Sequence, residues 1–140
     1  MKKKDETQIC KWEESTDNFL IKVYQRFDEK GKIRKYVQKY TLKDTSLIET
    51  KLYDENDVLL SASNYEPRNR RMTEYTLYKK GEETYKYTYQ YDEQNLIYSS
   101  KEYKGEFRSK SVFEYNEHLL NSIKEFDKDN QVKKYVKLSY

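Results

Sequence analysis

Thr84-Tyr85-Lys86-Tyr87-Thr88-Tyr89-Gln90-Tyr91, then Asp92-Glu93-Gln94-Asn95, then Leu96-Ile97, is the stretch whose reading decides the fold. Its tyrosines alternate with polar residues at period two, the spacing of a strand whose successive side chains point to opposite faces. A helix would split the same rings between two sides. The polar residues that follow interrupt the alternation with turn-forming types, and the aliphatic pair reopens it. Phe19, Ile21, Val23 and Phe27 alternate in the same way. Thr, Tyr and Val fill both segments, which suits a pleated surface.

Outward from this stretch, an aromatic followed by a polar turn recurs at Phe27, Tyr40, Tyr53, Tyr65, Tyr78, Tyr91, Tyr103, Tyr115 and Phe126, with spacings of 13, 13, 12, 13, 13, 12, 12 and 11. The residues after each anchor also recur. Phe27 is followed by Asp28-Glu29-Lys30-Gly31-Lys32-Ile33, Tyr53 by Asp54-Glu55-Asn56-Asp57-Val58, and Tyr91 by Asp92-Glu93-Gln94-Asn95-Leu96. Tyr115 is followed by Asn116-Glu117-His118-Leu119 and Phe126 by Asp127-Lys128-Asp129-Asn130-Gln131-Val132. Each is an aromatic, a short polar turn and an aliphatic, which predicts a strand ending at the aromatic and a return strand opening on the aliphatic. Gly31, Gly81 and Gly105 fall inside turns, as do Asn56, Asn69, Asn95 and Asn130, types that tolerate positive φ. Pro67, the one proline, is in a turn as well.

Strands that reverse through short turns pair with their sequence neighbours. The expectation is therefore an all-β fold, an antiparallel up-and-down β-meander of nine or ten short strands built on a degenerate repeat of about 12 residues. A sheet that wide curls or closes. Leu47-Ile48, Val58-Leu59-Leu60, Leu96-Ile97 and Leu119-Leu120 put apolar groups on both faces, which favours a curled single sheet or a narrow barrel over a sandwich. Residues 1–17 lack the anchors and read as a polar tail, or as an extra edge strand around Ile9 to Trp12. Residues 18–140 read as one meander domain.

Composition narrows the function. Among 140 residues, 35% are apolar and 38% charged, too little apolar material for a thick two-layer core. Sixteen tyrosines and five phenylalanines are the reverse of a disordered composition. The net charge of +3 is spread along the chain, with no basic stripe for nucleic acid beyond Lys2-Lys3-Lys4 and the local turn Arg68, Arg70 and Arg71. Cys10 is the only cysteine, so no intrachain disulfide is available and a reducing compartment is expected. Met1-Lys2-Lys3-Lys4 is followed by polar residues where an export signal needs an apolar run, so the chain as written reads as cytoplasmic, unless a native leader has been replaced. No stretch approaches the ~20 apolar residues of a membrane helix.

The Tyr-Asp turns at Tyr53-Asp54-Glu55-Asn56 and Tyr91-Asp92-Glu93-Gln94-Asn95-Leu96 resemble the bacterial YD (RHS-type) repeats. The block from Tyr78-Lys79-Lys80-Gly81-Glu82 to Tyr103-Lys104-Gly105-Glu106-Phe107 resembles the MORN-like repeats of small bacterial antitoxin-type proteins. The resemblance runs from about Phe27 to Tyr135, and Asn95 and Asn130 stand where both families favour glycine. It implies a β-sheet scaffold rather than an enzyme, and for small members a toxin-neutralising role.

Catalytic residue types are scarce. His118, the only histidine, lies in a turn and reads as solvated; Cys10 has no motif around it and reads as an incidental thiol. Ser61, Ser63, Ser99, Ser100, Ser109 and Ser111 lie in strand segments without a nucleophile elbow. Asp28-Glu29, Asp54-Glu55, Asp92-Glu93 and Asp127 with Asp129 could serve as paired carboxylates or calcium ligands. Their recurrence favours solvated turns, and Asp127 to Gln131 lacks the glycine and distal glutamate of an EF-hand loop. No metal or cofactor is expected.

What remains is tyrosine. Tyr85, Tyr87, Tyr89 and Tyr91 should share one face, with Thr84, Lys86, Thr88 and Gln90 on the other. They read as cross-strand packing and as the candidate binding site, since tyrosine offers rigid contact area at low entropic cost. The favoured function is a non-enzymatic protein-interaction module, an immunity or antitoxin-type partner of a protein that could be a toxin. Two alternatives stand: a small-ligand carrier, if the strands close into a barrel with a lumen, and a binder of single-stranded nucleic acid through tyrosine stacking.

Overall fold

A computed structural model describes residues 9–16 and 18–140, with side chains from Glu13 onward. The tail of residues 1–8 and the Cys10 side chain lie outside the described residues. Eleven strands follow one another: β1 (Ile9–Ser15), β2 (Phe19–Phe27), β3 (Ile33–Thr41), β4 (Leu47–Tyr53), β5 (Leu59–Tyr65), β6 (Met72–Lys79), β7 (Glu82–Tyr91), β8 (Leu96–Tyr103), β9 (Glu106–Asn116), β10 (Leu119–Phe126) and β11 (Val132–Lys137). Among the described residues there is no helix. The chain forms two compact units, Met1–Glu82 and Glu83–Tyr140. The first carries β1 to β6 and the second β7 to β11, each an antiparallel up-and-down meander in sequence order.

The strand count exceeds the expected nine or ten by β1, which carries no anchor. Each of the nine anchors ends a strand or stands one residue before its end, and β11 follows the last of them. The barrel alternative is not realised. Among the described residues β1 pairs only with β2 and β11 only with β10, so neither meander closes on itself.

Strand pairing is interrupted by bulges just after the turns. Tyr40 faces Leu47 and Lys39 faces Glu49, which leaves Ile48 extra. Tyr53 faces Leu59 with Leu60 extra, Tyr65 faces Met72 with Thr73 extra, and Tyr91 faces Leu96 with Ile97 extra. A bulge sets two residues against one and sharpens the local twist. The aliphatic doublets Leu47-Ile48, Leu59-Leu60 and Leu96-Ile97 therefore each oppose a single aromatic.

The connections explain why Asp follows so many anchors. In residues 28–32, 54–58 and 127–131, one Asp carboxylate oxygen accepts hydrogen bonds from the backbone N–H groups two and four residues on, at 2.8–3.0 Å. The same Asp donates its own N–H to the carbonyl four residues on and accepts at its carbonyl from the N–H three residues on. That third residue has positive φ in each: Gly31, Asp57 and Asn130. The aspartate closes the turn on itself. Lys80-Gly81, Lys104-Gly105 and Glu117-His118 are two-residue turns with positive φ at both positions, the hairpin form whose twist matches the strands it joins.

No hydrophobic residue among those described is buried. The buried side chains are small and polar, Ser46, Ser63, Thr76 and Ser122, while Phe27, Leu119, Val132 and Tyr135 are 45–58% exposed. Apolar atoms are covered instead by neighbours across the ladder. Lys39 lies 4.1 Å from the Phe19 ring centroid, Lys110 4.8 Å from Phe126, Lys35 4.9 Å from Tyr53 and Lys124 5.6 Å from Tyr135. Lysine lays its methylene stem along an aromatic ring and keeps its ammonium in water, so it packs a face that has no second layer.

Candidate functional site

In the second unit, β7 runs antiparallel to β8 with Tyr85 opposite Tyr103, Tyr87 opposite Lys101, Tyr89 opposite Ser99 and Tyr91 opposite Leu96. On the next strand Lys101 faces Ser109 and Ser99 faces Ser111. One face therefore carries a row of tyrosines beside a row of serines. Short side chains next to long ones leave a hollow, here about 210 Å³, bordered by Tyr87, Tyr89, Ser99, Lys101, Ser109 and Ser111. A second hollow of about 410 Å³ shares Lys101 and Ser109 and adds Tyr85, Tyr103, Arg108 and Lys133.

Two of those residues are brought to the tyrosine face by bulges. Lys101 pairs with Ser109 and Glu102 with Phe107, so Arg108 is extra in β9. Glu125 pairs with Lys134 and Phe126 with Val132, so Lys133 is extra in β11. Strict alternation sends Arg108 and Lys133 to the opposite side from Ser109 and Lys134; a bulge re-aims them. Both line the larger hollow.

The rings are held by cations. Tyr85 and Tyr87 stack with centroids 6.4 Å apart and planes 23° from parallel, and Tyr85 lies 4.9 Å from Tyr103. The Lys101 ammonium sits 4.8 Å from the Tyr85 centroid and 6.0 Å from that of Tyr87. Lys104 and the Arg108 guanidinium lie 5.6 and 5.3 Å from the Tyr103 ring. Arg108 lies 3.9 Å from the Glu106 carboxylate. Among the described residues, Lys101 and Lys133 form no ion pair.

Of the four tyrosines singled out from the sequence, Tyr85, Tyr87 and Tyr89 border the hollows, while Tyr91 borders neither. All four are half-buried. Set against protein-family models, curated proteins and solved structures, the chain matches none. What the face can do follows from its own atoms.

The serines read as inert strand residues are its floor, and Lys101, Arg108, Lys133 and Tyr103 complete it. Lys101 and Tyr103 follow from pairing β7 with β8. No local signal marks the two bulged cations. Elsewhere, His118 is exposed in its turn at φ 77°. The turn aspartates spend a carboxylate oxygen on backbone N–H groups. Hydrogen bonding to the Lys32 N–H, with a further bond from Lys30 and the nearby Arg34 charge, holds the Asp28 pKa below its usual value. The Thr41 hydroxyl, then the Ser46 hydroxyl and N–H, lower that of Asp44. Among the described residues no group of three or more His, Cys, Asp or Glu is placed to hold a metal, and no helix is long and apolar enough to cross a membrane.

Proposed function

We propose that the protein is a non-enzymatic interaction module whose β7 face, Tyr85 to Tyr91 with Lys101, Arg108 and Lys133, docks an acidic segment of a protein partner. One observation carries the reading: a half-buried tyrosine row adjoins three cations, two of which form no ion pair among the described residues. Aromatic and arginine side chains are the types that concentrate binding energy at interfaces, and cations without local partners favour a negatively charged visitor. The resemblance of the Tyr-Asp turns to YD repeats, and of the block from Tyr78 to Phe107 to MORN-like repeats, supports an immunity or antitoxin-type role, with a toxin as the partner. The recurring bulge behind the anchors supports growth of the chain by tandem repetition.

Nucleic acid is the weaker reading. Base stacking needs open ring faces. Here Lys101 lies over Tyr85 and Tyr87, and Lys104 and Arg108 lie over Tyr103. A carboxylate can meet those cations where they stand, whereas a base must displace them. A small-ligand carrier needs a lumen, and neither meander closes to make one.

The test is a titration of isotopically labelled protein with a synthetic extended peptide alternating Glu and Tyr, with its Lys-Tyr counterpart, and with oligothymidylate. The Glu peptide should shift the amides of residues 85–91, 99–103 and 108–111. Binding should weaken with salt and fall at least tenfold in Lys101→Glu. Tighter binding of oligothymidylate at the same residues would replace the proposal with the nucleic-acid reading.

A further inference from the structure

A third hollow lies in the first unit, where the loops of residues 42–46 and 66–71 meet at the ends of β3 and β5. It has a volume of about 280 Å³ and is bordered by Tyr40, Thr45, Leu47, Tyr65 and Arg70. The loops are tied together by the Arg68 N–H, which donates to the Ser46 hydroxyl at 3.2 Å. Ser46 is itself buried, 4% exposed, so this tie is built into the fold.

Three arginines stand on one short loop, and their surroundings differ. The Arg71 Nε donates to Glu66 at 2.9 Å. Arg68 lies near enough to Asp44 to lower its pKa. Arg70 has no ion pair among the described residues, although it borders the hollow. Its charge reaches the Tyr40 phenol, whose pKa is raised chiefly by burial and which stays protonated at neutral pH. The Tyr40 hydroxyl donates to Gln38 at 2.7 Å, so its hydrogen-bond donor is already engaged along the strand.

We infer that this hollow is a binding site for an aromatic ring bearing a carboxylate, the ring set among Tyr40, Tyr65 and Leu47 and the carboxylate on the Arg70 guanidinium. The planar guanidinium matches a carboxylate in a two-point contact, and tyrosine rings favour offset packing against another ring. Size selects within the class. Pockets for drug-sized ligands begin at about 300 Å³, so 280 Å³ suits one ring and its acid group rather than a nucleotide. The same chemistry is carried by a free aromatic acid and by the C-terminal aromatic residue of a peptide.

Arg70 also supplies a clean variant. Its φ is +57°, a conformation that glycine adopts without strain, so Arg70→Gly removes the guanidinium and suits the backbone. Labelled protein is titrated with phenylacetate, with the neutral isostere phenylacetamide, and with the tripeptide Gly-Gly-Phe. Phenylacetate should give saturable shifts at the Leu47 methyls and the Tyr40 and Tyr65 rings. Phenylacetamide should bind at least tenfold more weakly. Arg70→Gly should melt at the same or a higher temperature yet bind phenylacetate at least tenfold more weakly, and Arg68→Gln should bind it as the parent does. Response to phenylacetate alone assigns the site to free acids, and response to the tripeptide alone assigns it to a chain end. No saturable response to either, or equal binding by Arg70→Gly, overturns the inference.

Discussion

His118 shows what one residue contributes to the turns. It occupies the second position of a two-residue hairpin turn at φ 77°, where the equivalent positions hold Gly81 and Gly105. A side chain in the left-handed region costs roughly 1 kcal/mol or more, so His118→Gly should raise stability in urea by about 1 kcal/mol. His118→Ala keeps a Cβ at the same φ and should move stability by less than about 0.5 kcal/mol. The turn aspartates predict a pH dependence. Asp28 and Asp44 titrate lower in the folded protein than in the unfolded chain, whose value is 3.8, so their contribution is fully present above that value and is lost as pH falls through the folded pKa. Urea midpoints should therefore fall as pH is lowered below about 3.8, and the Asp28→Asn, Asp44→Asn double variant should lose part of that fall. The sequence exposed the position of these turns but not their geometry. Of the turn asparagines that tolerate positive φ, Asn56, Asn69 and Asn95 do not take it; near the first two it falls on Asp57 and on Arg68 and Arg70. In residues 54–58 the hydrogen bonds of Asp54 put the left-handed residue third after it, at Asp57, and the preference of Asn56 yields to them. Asn130 meets both demands.

Among the elements, strand identity was legible because period two and the anchor spacing agree from Phe27 to Phe126. Register was not. Alternation assigns Arg108 and Lys133 to the side away from the tyrosines, and the bulges in β9 and β11 reverse that assignment. A bulge is decided by how a turn closes and by twist across two strands, which a one-strand pattern does not contain. Tyr85, Tyr87 and Tyr89 were readable as a face because β7 itself stays regular; the cations that give the face its charge were not. The strands are held to each other by pairs such as Lys110 and Phe126, directly opposite in the ladder with the ammonium 4.8 Å from the ring. A double-mutant cycle with Lys110→Met and Phe126→Leu should give a coupling of about 0.5 kcal/mol, in the range of exposed cation–π and cross-strand pairs. A coupling of zero would mean that lysine covers the ring without holding it.

Over the whole molecule, two meanders of half-buried strands stand without a buried apolar side chain among the described residues. Low apolar content points to a thin fold. The heat capacity of unfolding rises with apolar area exposed, so calorimetry should give less than the ~12–15 cal/mol/K per residue of ordinary domains. The same thinness leaves the tyrosine row of the second unit within reach of a partner. Tyr87→Ala tests this most directly, with urea unfolding and titration of the Glu-Tyr peptide on one preparation. A truncated core aromatic costs about 3 kcal/mol or more, whereas a half-buried ring stacked on Tyr85 under Lys101 should cost about 1 kcal/mol. Peptide affinity should fall by about 2 kcal/mol, the loss of an interface hot spot. A stability loss of about 3 kcal/mol or more would make Tyr87 a packing residue, and an unchanged affinity would show that the tyrosine face is not the docking surface.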